Sequence, residues 1–287
     1  MTPSARIVLR LASNGDFETL YGETAGDSRD WQVRIFPNMF PAFSPTESRE
    51  DGVGQAINAY GYHMISVDTP DHNEDIDSFS DMEINAYLMA LRILKENLER
   101  DHRIRYVSIF KNQGREAGAS IPHPHTQVIA TEKIPPSIVR EVRLFEKTRS
   151  ESGEEAMSRV IEESRIGNRL ILSDQHLAVF TPYAPISPYE FWIAPLISGA
   201  EWEDSLSDIG KVLRLTIAAM KQFLGEVPYN FYFHLPPRDN EVFCWHIEFV
   251  PRSNIHAGYE LGFGAYIITS SPEETAKLYK EHIDKVS

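Results

Sequence analysis

The residues with the clearest chemistry stand in Gly118-Ala-Ser-Ile-Pro-His123-Pro-His125-Thr-Gln127-Val-Ile-Ala130. In an extended strand, alternate side chains share a face. A strand beginning near His123 therefore aims His123, His125 and Gln127 the same way. Three polar groups on one face, followed by an apolar run, suit a working surface better than a core face. Imidazole serves at neutral pH as nucleophile, base or metal ligand. Pro124 removes a backbone donor and stiffens the chain between the histidines. Upstream, a Gly-rich loop from Asn112 to Pro122 carries Asn112, Gly114, Gly118 and Ser120. It offers close backbone approach and neutral donors, as a phosphate-cradling loop requires. The competing reading is a pair of surface histidines on an edge strand; the prolines, the Gln and the loop weigh against it.

These groups need elements to hold them. Strand-like runs are expected at Val33–Ala42, His63–Val67, Tyr106–Phe110 and Thr126–Ala130. Between the second and third lies a helix opened by a Ser80/Glu83 capping box, with Ile84, Leu88, Leu91, Leu94 and Leu98 at helical spacing. The order then repeats. Strands at Leu177–Phe180 and Glu190–Ala194 precede a helix over Ser205–Leu224, and strands at Tyr229–Phe233 and Cys244–Val250 follow. Superposing the last strands puts His125 over His246 and Gln127 over Glu248. This reads as a duplicated α+β unit with antiparallel sheets, residues 1–160 and 161–287. The linker is expected within Thr148–Asn168, after a helix near Val139–Lys147. The Ser-, Glu- and Gly-rich stretch Ser44–Gly54 is read as a loop or lid.

Composition bounds the function. The chain has 287 residues, 42% hydrophobic and 24% charged, as ordinary globular proteins do. No apolar run is long enough to cross a membrane, and Met1–Arg10 lacks the apolar core of a secretory signal. A net charge of −14 argues against general nucleic-acid binding. A phosphate ester must therefore be held by local donors. One cysteine, Cys244, excludes an internal disulfide and fits a reducing cytoplasm.

The histidine segment, together with Phe36-Pro-Asn38, Pro70-Asp-His72, Phe110-Lys-Asn112, Val179-Phe-Thr-Pro-Tyr183, Trp245-His-Ile-Glu248 and Gly258-Tyr-Glu-Leu261, resembles the galactose-1-phosphate uridylyltransferase family. This is the transferase branch of the histidine-triad superfamily, and the likeness spans about residues 30 to 265. It implies two fused histidine-triad-like halves. It also implies that His125 attacks the α-phosphorus of a nucleoside diphosphate sugar, giving a covalent nucleotidyl-histidine and a sugar 1-phosphate. A second sugar 1-phosphate then takes the nucleotide back. One nitrogen of His125 should donate to a backbone carbonyl, fixing the tautomer. Gln127 stands where the hydrolase branch has a third histidine, which favours transfer over hydrolysis. Asn112 and Ser120 match phosphate- and sugar-contacting positions, and Asn38 a position near the nucleoside. Tyr259 and Glu260 match a sugar-recognition segment that reaches the neighbouring subunit, implying a homodimer. Asn254 stands where the family has a phosphate-contacting lysine.

The resemblance raises two metal questions. Many members hold zinc with a Cys-x-x-Cys pair and two histidines matching His72 and His123. The cysteine pair is missing here, so this zinc is expected to be absent, with His123 hydrogen-bonded near His72. A second site matches Glu141, His234, His246 and Glu248, the last replacing a histidine. Two imidazoles and two carboxylates suit Zn²⁺ or Fe²⁺, and a metal-free polar cluster is the even alternative. No organic cofactor is implied. The expected reaction is UMP transfer between UDP-glucose and galactose 1-phosphate. The rivals are an ADP-glucose phosphorylase-like enzyme with phosphate as acceptor, a nucleotide hydrolase, and a non-catalytic nucleotide-binding regulator.

Overall fold

The computed structural model describes residues 7–11, 17–21, 31–45 and 59–286; of Ser44–Gly54, all beyond Pro45 lies outside them. The strands are β1 (Ile7–Leu11), β2 (Phe17–Tyr21), β3 (Val33–Pro37), β4 (Gly61–Val67), β5 (Tyr106–Gln113), β6 (His125–Thr131), β7 (Leu170–Ser173), β8 (Leu177–Phe180), β9 (Phe191–Pro195), β10 (Tyr229–His234) and β11 (His246–Pro251). The helices are α1 (Asp81–Leu98), α2 (Pro136–Ser152), α3 (Ala156–Ile166), α4 (Leu206–Leu224), α5 (Gly258–Phe263) and α6 (Pro272–Val286).

All strands join one antiparallel sheet in the order β2-β1-β3-β4-β6-β5-β10-β11-β9-β8-β7. The order β3-β4-β6-β5 recurs, mirrored, as β10-β11-β9-β8, with α1 and α4 at equivalent points. The duplicated order read from the sequence is present. The two antiparallel sheets it implied are fused edge to edge, because β5 pairs with β10.

One face is apolar at every second residue: Val107 and Ile109, Val128 and Ala130, Phe231 and Phe233, Ile247 and Phe249. Helices α1, α4 and α6 cover it. Ser80 caps α1 by accepting from the Glu83 amide while the Glu83 carboxylate accepts from the Ser80 amide. Such a cap stabilises by roughly 1 kcal/mol. A second cluster, including Phe145, Met157, Ile161, Phe180 and Phe243, lies under α2 and α3 on the other face. The expected linker is thus mostly helical. Its charged composition masked Met157 and Ile161, which recur at helical spacing on a helix packed against β7 and β8. The 160/161 division falls within α3.

Candidate active site

His125 opens β6 and is buried. Its Nδ1 lies 2.9 Å from the His123 carbonyl oxygen. A carbonyl only accepts, so Nδ1 carries the proton and Nε2 keeps its lone pair. Burial lowers the His125 pKa below the ordinary histidine value, and the nearby Lys111 charge adds to this against the raising effect of the hydrogen bond that Nδ1 donates to the His123 carbonyl. The neutral ring is therefore the resting form at pH 7. His246 opens β11 the same way: its Nδ1 lies 3.2 Å from the Cys244 carbonyl oxygen. The repeat thus extends from strand order to the hook that orients each histidine.

His125 borders a cavity of about 560 Å³ that Asn112, Ser120, Arg115 and His123 also line. The cavity wall is the loop after β5. Gly114 (φ 85°) and Gly118 (φ 91°) both sit at positive φ, where a side chain is strained. A Cβ on Gly114 would also come within 2.9 Å of Pro228.

Beneath His125, on the helix-covered face, lies a group the motif reading passed over. Lys111 donates to Asp68 Oδ2 at 2.8 Å, and both side chains are fully buried. Thr126 donates to the same oxygen at 2.9 Å and pairs with the Tyr87 hydroxyl at 2.9 Å. Lys111 Nζ also reaches the His125 carbonyl oxygen at 3.4 Å. An ion pair in the core is unusual for a strand residue flanked by Phe110 and Asn112. Its alternation with Ile109 and Val107 was the signal that it faces inward.

Gln127 shares the strand face of His125 but is not among the cavity-lining residues. Its Oε1 lies 3.0 Å from His63 Nε2. The Ala42 amide donates to His63 Nδ1 at 3.2 Å, so Nε2 holds the ring proton and donates to Gln127. The amide group of Gln127 is thereby left for other partners. His63 had no motif context, and only the pairing of β4 with β6 reveals it. Asn38 is held beside the same ring, its Nδ2 3.1 Å from Nε2 and 3.5 Å from Nδ1, while its Oδ1 accepts from the Phe40 amide.

His123 does not continue the strand face as expected, because β6 begins only at His125. It turns to the loop after β4, donating from Nε2 to the Thr69 carbonyl at 2.8 Å, with His72 Nδ1 2.7 Å from its own Nδ1. The two histidines are therefore neighbours in direct hydrogen-bonding contact.

Glu141 of α2 and His234 and His246 of the sheet bring one ligand atom each within 4.8 Å of one another. Glu141 Oε2 lies 3.0 Å from His234 Nδ1, and Glu248 Oε1 is 3.8 Å from His246 Nε2 and 3.9 Å from His234 Nδ1. His246 Nε2 is buried without a hydrogen-bond partner. An unpaired imidazole nitrogen facing two carboxylates and a second imidazole fits a divalent cation. Cys244 is not part of this group, and burial pushes its thiol up to about 12, so it stays protonated.

Tyr259 and Glu260 lie on α5, outside the cavity lining. Glu260 is buried and its carboxylate accepts from the Ala257 amide at 2.9 Å, capping the helix. Asn254 accepts from the Ser187 hydroxyl at 3.3 Å.

Known proteins share parts of this sequence and its fold. Residues 22–135 match the family model of the galactose-1-phosphate uridyl transferase N-terminal domain. The chain is 27% identical over 266 residues to ADP-glucose phosphorylase of Arabidopsis thaliana, covering 88% of this chain and 75% of that protein. It is also 27% identical over 273 residues to galactose-1-phosphate uridylyltransferase of Thermotoga maritima, covering 88% and 85%. A solved uridylyltransferase structure shares the fold, with a TM-score of 0.84 at 23% identity, over 98% of this chain and 100% of that one. The family resemblance read from the motifs is borne out.

Proposed function

We propose that this chain, related to the galactose-1-phosphate uridylyltransferases, moves a nucleoside monophosphate through a covalent intermediate on His125. The observation that carries this is His125: a buried, neutral ring with its Nδ1 proton committed to the His123 carbonyl, on a residue that lines a cavity walled by a glycine loop. The His125 Nε2 lone pair forms a bond to the α-phosphorus of a nucleoside diphosphate sugar. The bond from that phosphorus to the bridging oxygen breaks, and the sugar 1-phosphate leaves with the electron pair. The leaving group is already a stable phosphate anion, so no proton is needed. The imidazolium charge that develops is held by the His123 carbonyl. The acceptor phosphate reverses the step.

Asn112, Ser120 and Gln127 are assigned as neutral donors to the phosphoryl oxygens, in keeping with a chain whose net charge is −14. Their amide and hydroxyl protons stabilise charge without acting as acids, which suits transfer rather than hydrolysis. Asn38 is assigned to the nucleoside side. Tyr259 and Glu260 are assigned to sugar recognition from a neighbouring subunit of a homodimer. Tyr259, Leu261 and Phe263 stand 56%, 77% and 79% exposed on one short helix, the character of a segment that another surface covers. Glu141, His234, His246 and Glu248 are assigned to one Zn²⁺ or Fe²⁺, which would tie α2 to the sheet.

The first reading of donor and acceptor is UDP-glucose with galactose 1-phosphate. ADP-glucose with inorganic phosphate is the second, favoured by the Arabidopsis relative matching over the same share of this chain. A screen of UDP-glucose and ADP-glucose against both acceptors separates them. Product from one donor–acceptor pair, absent from His125→Ala, is expected. Release of free UMP or AMP without acceptor, as fast as transfer, would make the protein a hydrolase instead.

A further inference from the structure

Asn112 reaches its cavity from β5, and its amide can face either way round. What fixes it comes from the other half of the chain. Asn230 of β10 is registered directly opposite Asn112 and is buried. Asn230 Nδ2 donates to Asn112 Oδ1 at 2.7 Å and to the Ala117 carbonyl at 2.9 Å. The Ala117 carbonyl only accepts, so the nitrogen of Asn230 must point there. Arg252, just beyond β11, donates from Nε to Asn230 Oδ1 and from a terminal nitrogen to the Tyr232 hydroxyl at 3.1 Å. A guanidinium only donates, which confirms the same orientation from the opposite end. Every polar atom of Asn230 is thus committed.

The polarity then propagates. Asn112 Oδ1 is the acceptor for Asn230, so the atom left for the cavity is its NH₂ group. That nitrogen lies over Gly118, 3.8 Å from where a Cβ would stand. We propose that Asn230 and Arg252 are positioning residues: a one-way chain of hydrogen bonds, Arg252 to Asn230 to Asn112, that makes the C-terminal half present an N–H donor, and never a carbonyl, to the phosphate beside His125. The ligand class is a nucleoside phosphate, and the inference rests on the function proposed above.

The test inverts the polarity. In Asn230→Asp, the residue still accepts from Arg252 but repels Asn112 Oδ1 and the Ala117 carbonyl, so the Asn112 amide turns its oxygen to the cavity. Rapid-mix labelling of His125 by the active nucleotide sugar is measured alongside calorimetric affinity for UMP and AMP. The variants are Asn230→Asp, Arg252→Met, Arg252→Lys, Asn112→Ala and the doubles of Asn112→Ala with the first two. Asn230→Asp is expected to slow labelling about 100-fold and Arg252→Met about 10-fold, with Arg252→Lys restoring most of the loss. Neither should slow labelling further on the Asn112→Ala background, since they act through that side chain. Wild-type rates in Asn230→Asp, or losses that simply add to that of Asn112→Ala, would overturn the positioning role. If the wild type labels with no donor, the function proposed above falls. The nucleotide affinities then decide the relay alone: a weakening in Asn230→Asp that vanishes on the Asn112→Ala background supports it, and equal weakening on both backgrounds rejects it.

Discussion

In the proposed reaction, the neutral ring of His125 sets the pH behaviour. Its pKa in the fold lies below the ordinary value of about 6.5 because burial disfavours the cation. The unprotonated ring attacks, so lowering the pKa extends the reactive form to more acidic pH. The acid limb of the pH profile for kcat/KM, which reports the free enzyme, is expected to bend below 6.5. A bend at 7 or above would mean that the ring is not desolvated as described. At this scale a contiguous motif carries its own grouping: Asn112, Ser120 and His125 lie in one stretch and line one cavity, while Gln127 lies outside that lining. The sequence was mute where a partner arrives from elsewhere. His63 orients Gln127 from β4, and Asn230 orients Asn112 from β10, across 64 and 118 residues of chain. No periodicity or spacing encodes such encounters; only strand register does.

Among the elements, the buried Lys111–Asp68 pair joins β5 to the end of β4 directly beneath His125. Thr126 and Tyr87 share its hydrogen bonds, which tie α1 to β6. Removing the cation leaves a carboxylate buried and unpaired. Lys111→Met is therefore expected to cost about 3–5 kcal/mol in urea unfolding. A loss under 1 kcal/mol would show that the pair adds little to the fold. The helices were legible in proportion to their local signals. Ser80 and Glu83 announced α1, and the apolar stripe of α4 announced itself. Helix α6 was passed over although Ser271, Pro272 and Glu274 spell the same start: Ser271 accepts from the Glu274 amide at 3.2 Å. Its buried stripe of Ala276, Tyr279 and Ile283 is spaced three and four residues apart. The short strands β1, β2 and β7 carry no comparable pattern, and pairing at the sheet edges is what defines them.

For the whole molecule, duplication explains both what is shared and what has diverged. Each unit hooks a histidine to the carbonyl two residues before it, and the first sets that ring at a cavity lined by the loop after β5. The second turns the same position toward Glu141 and His234. Protein purified without a histidine tag and given Zn²⁺ or Fe²⁺ is expected to hold about one ion per chain. Chelation should lower the melting temperature, because a ligand bound only to the native state stabilises it. No stoichiometric uptake, or uptake unchanged by His246→Ala, would leave a metal-free polar cluster. The two fused halves were implied by the resemblance, but the β5–β10 seam that joins their sheets was not visible in the sequence, since it pairs strands whose sequences each complete a unit alone. The lone cysteine was visible, and its burial removes it from ligand chemistry.

The most direct measurement is mass spectrometry of the protein quenched at alkaline pH after brief exposure to UDP-glucose or ADP-glucose without acceptor. The expected result is one nucleoside monophosphate attached to His125, discharged on adding the acceptor and absent from His125→Ala. Turnover of a nucleotide sugar with no adduct on His125, or an adduct that persists in His125→Ala, would contradict the central claim.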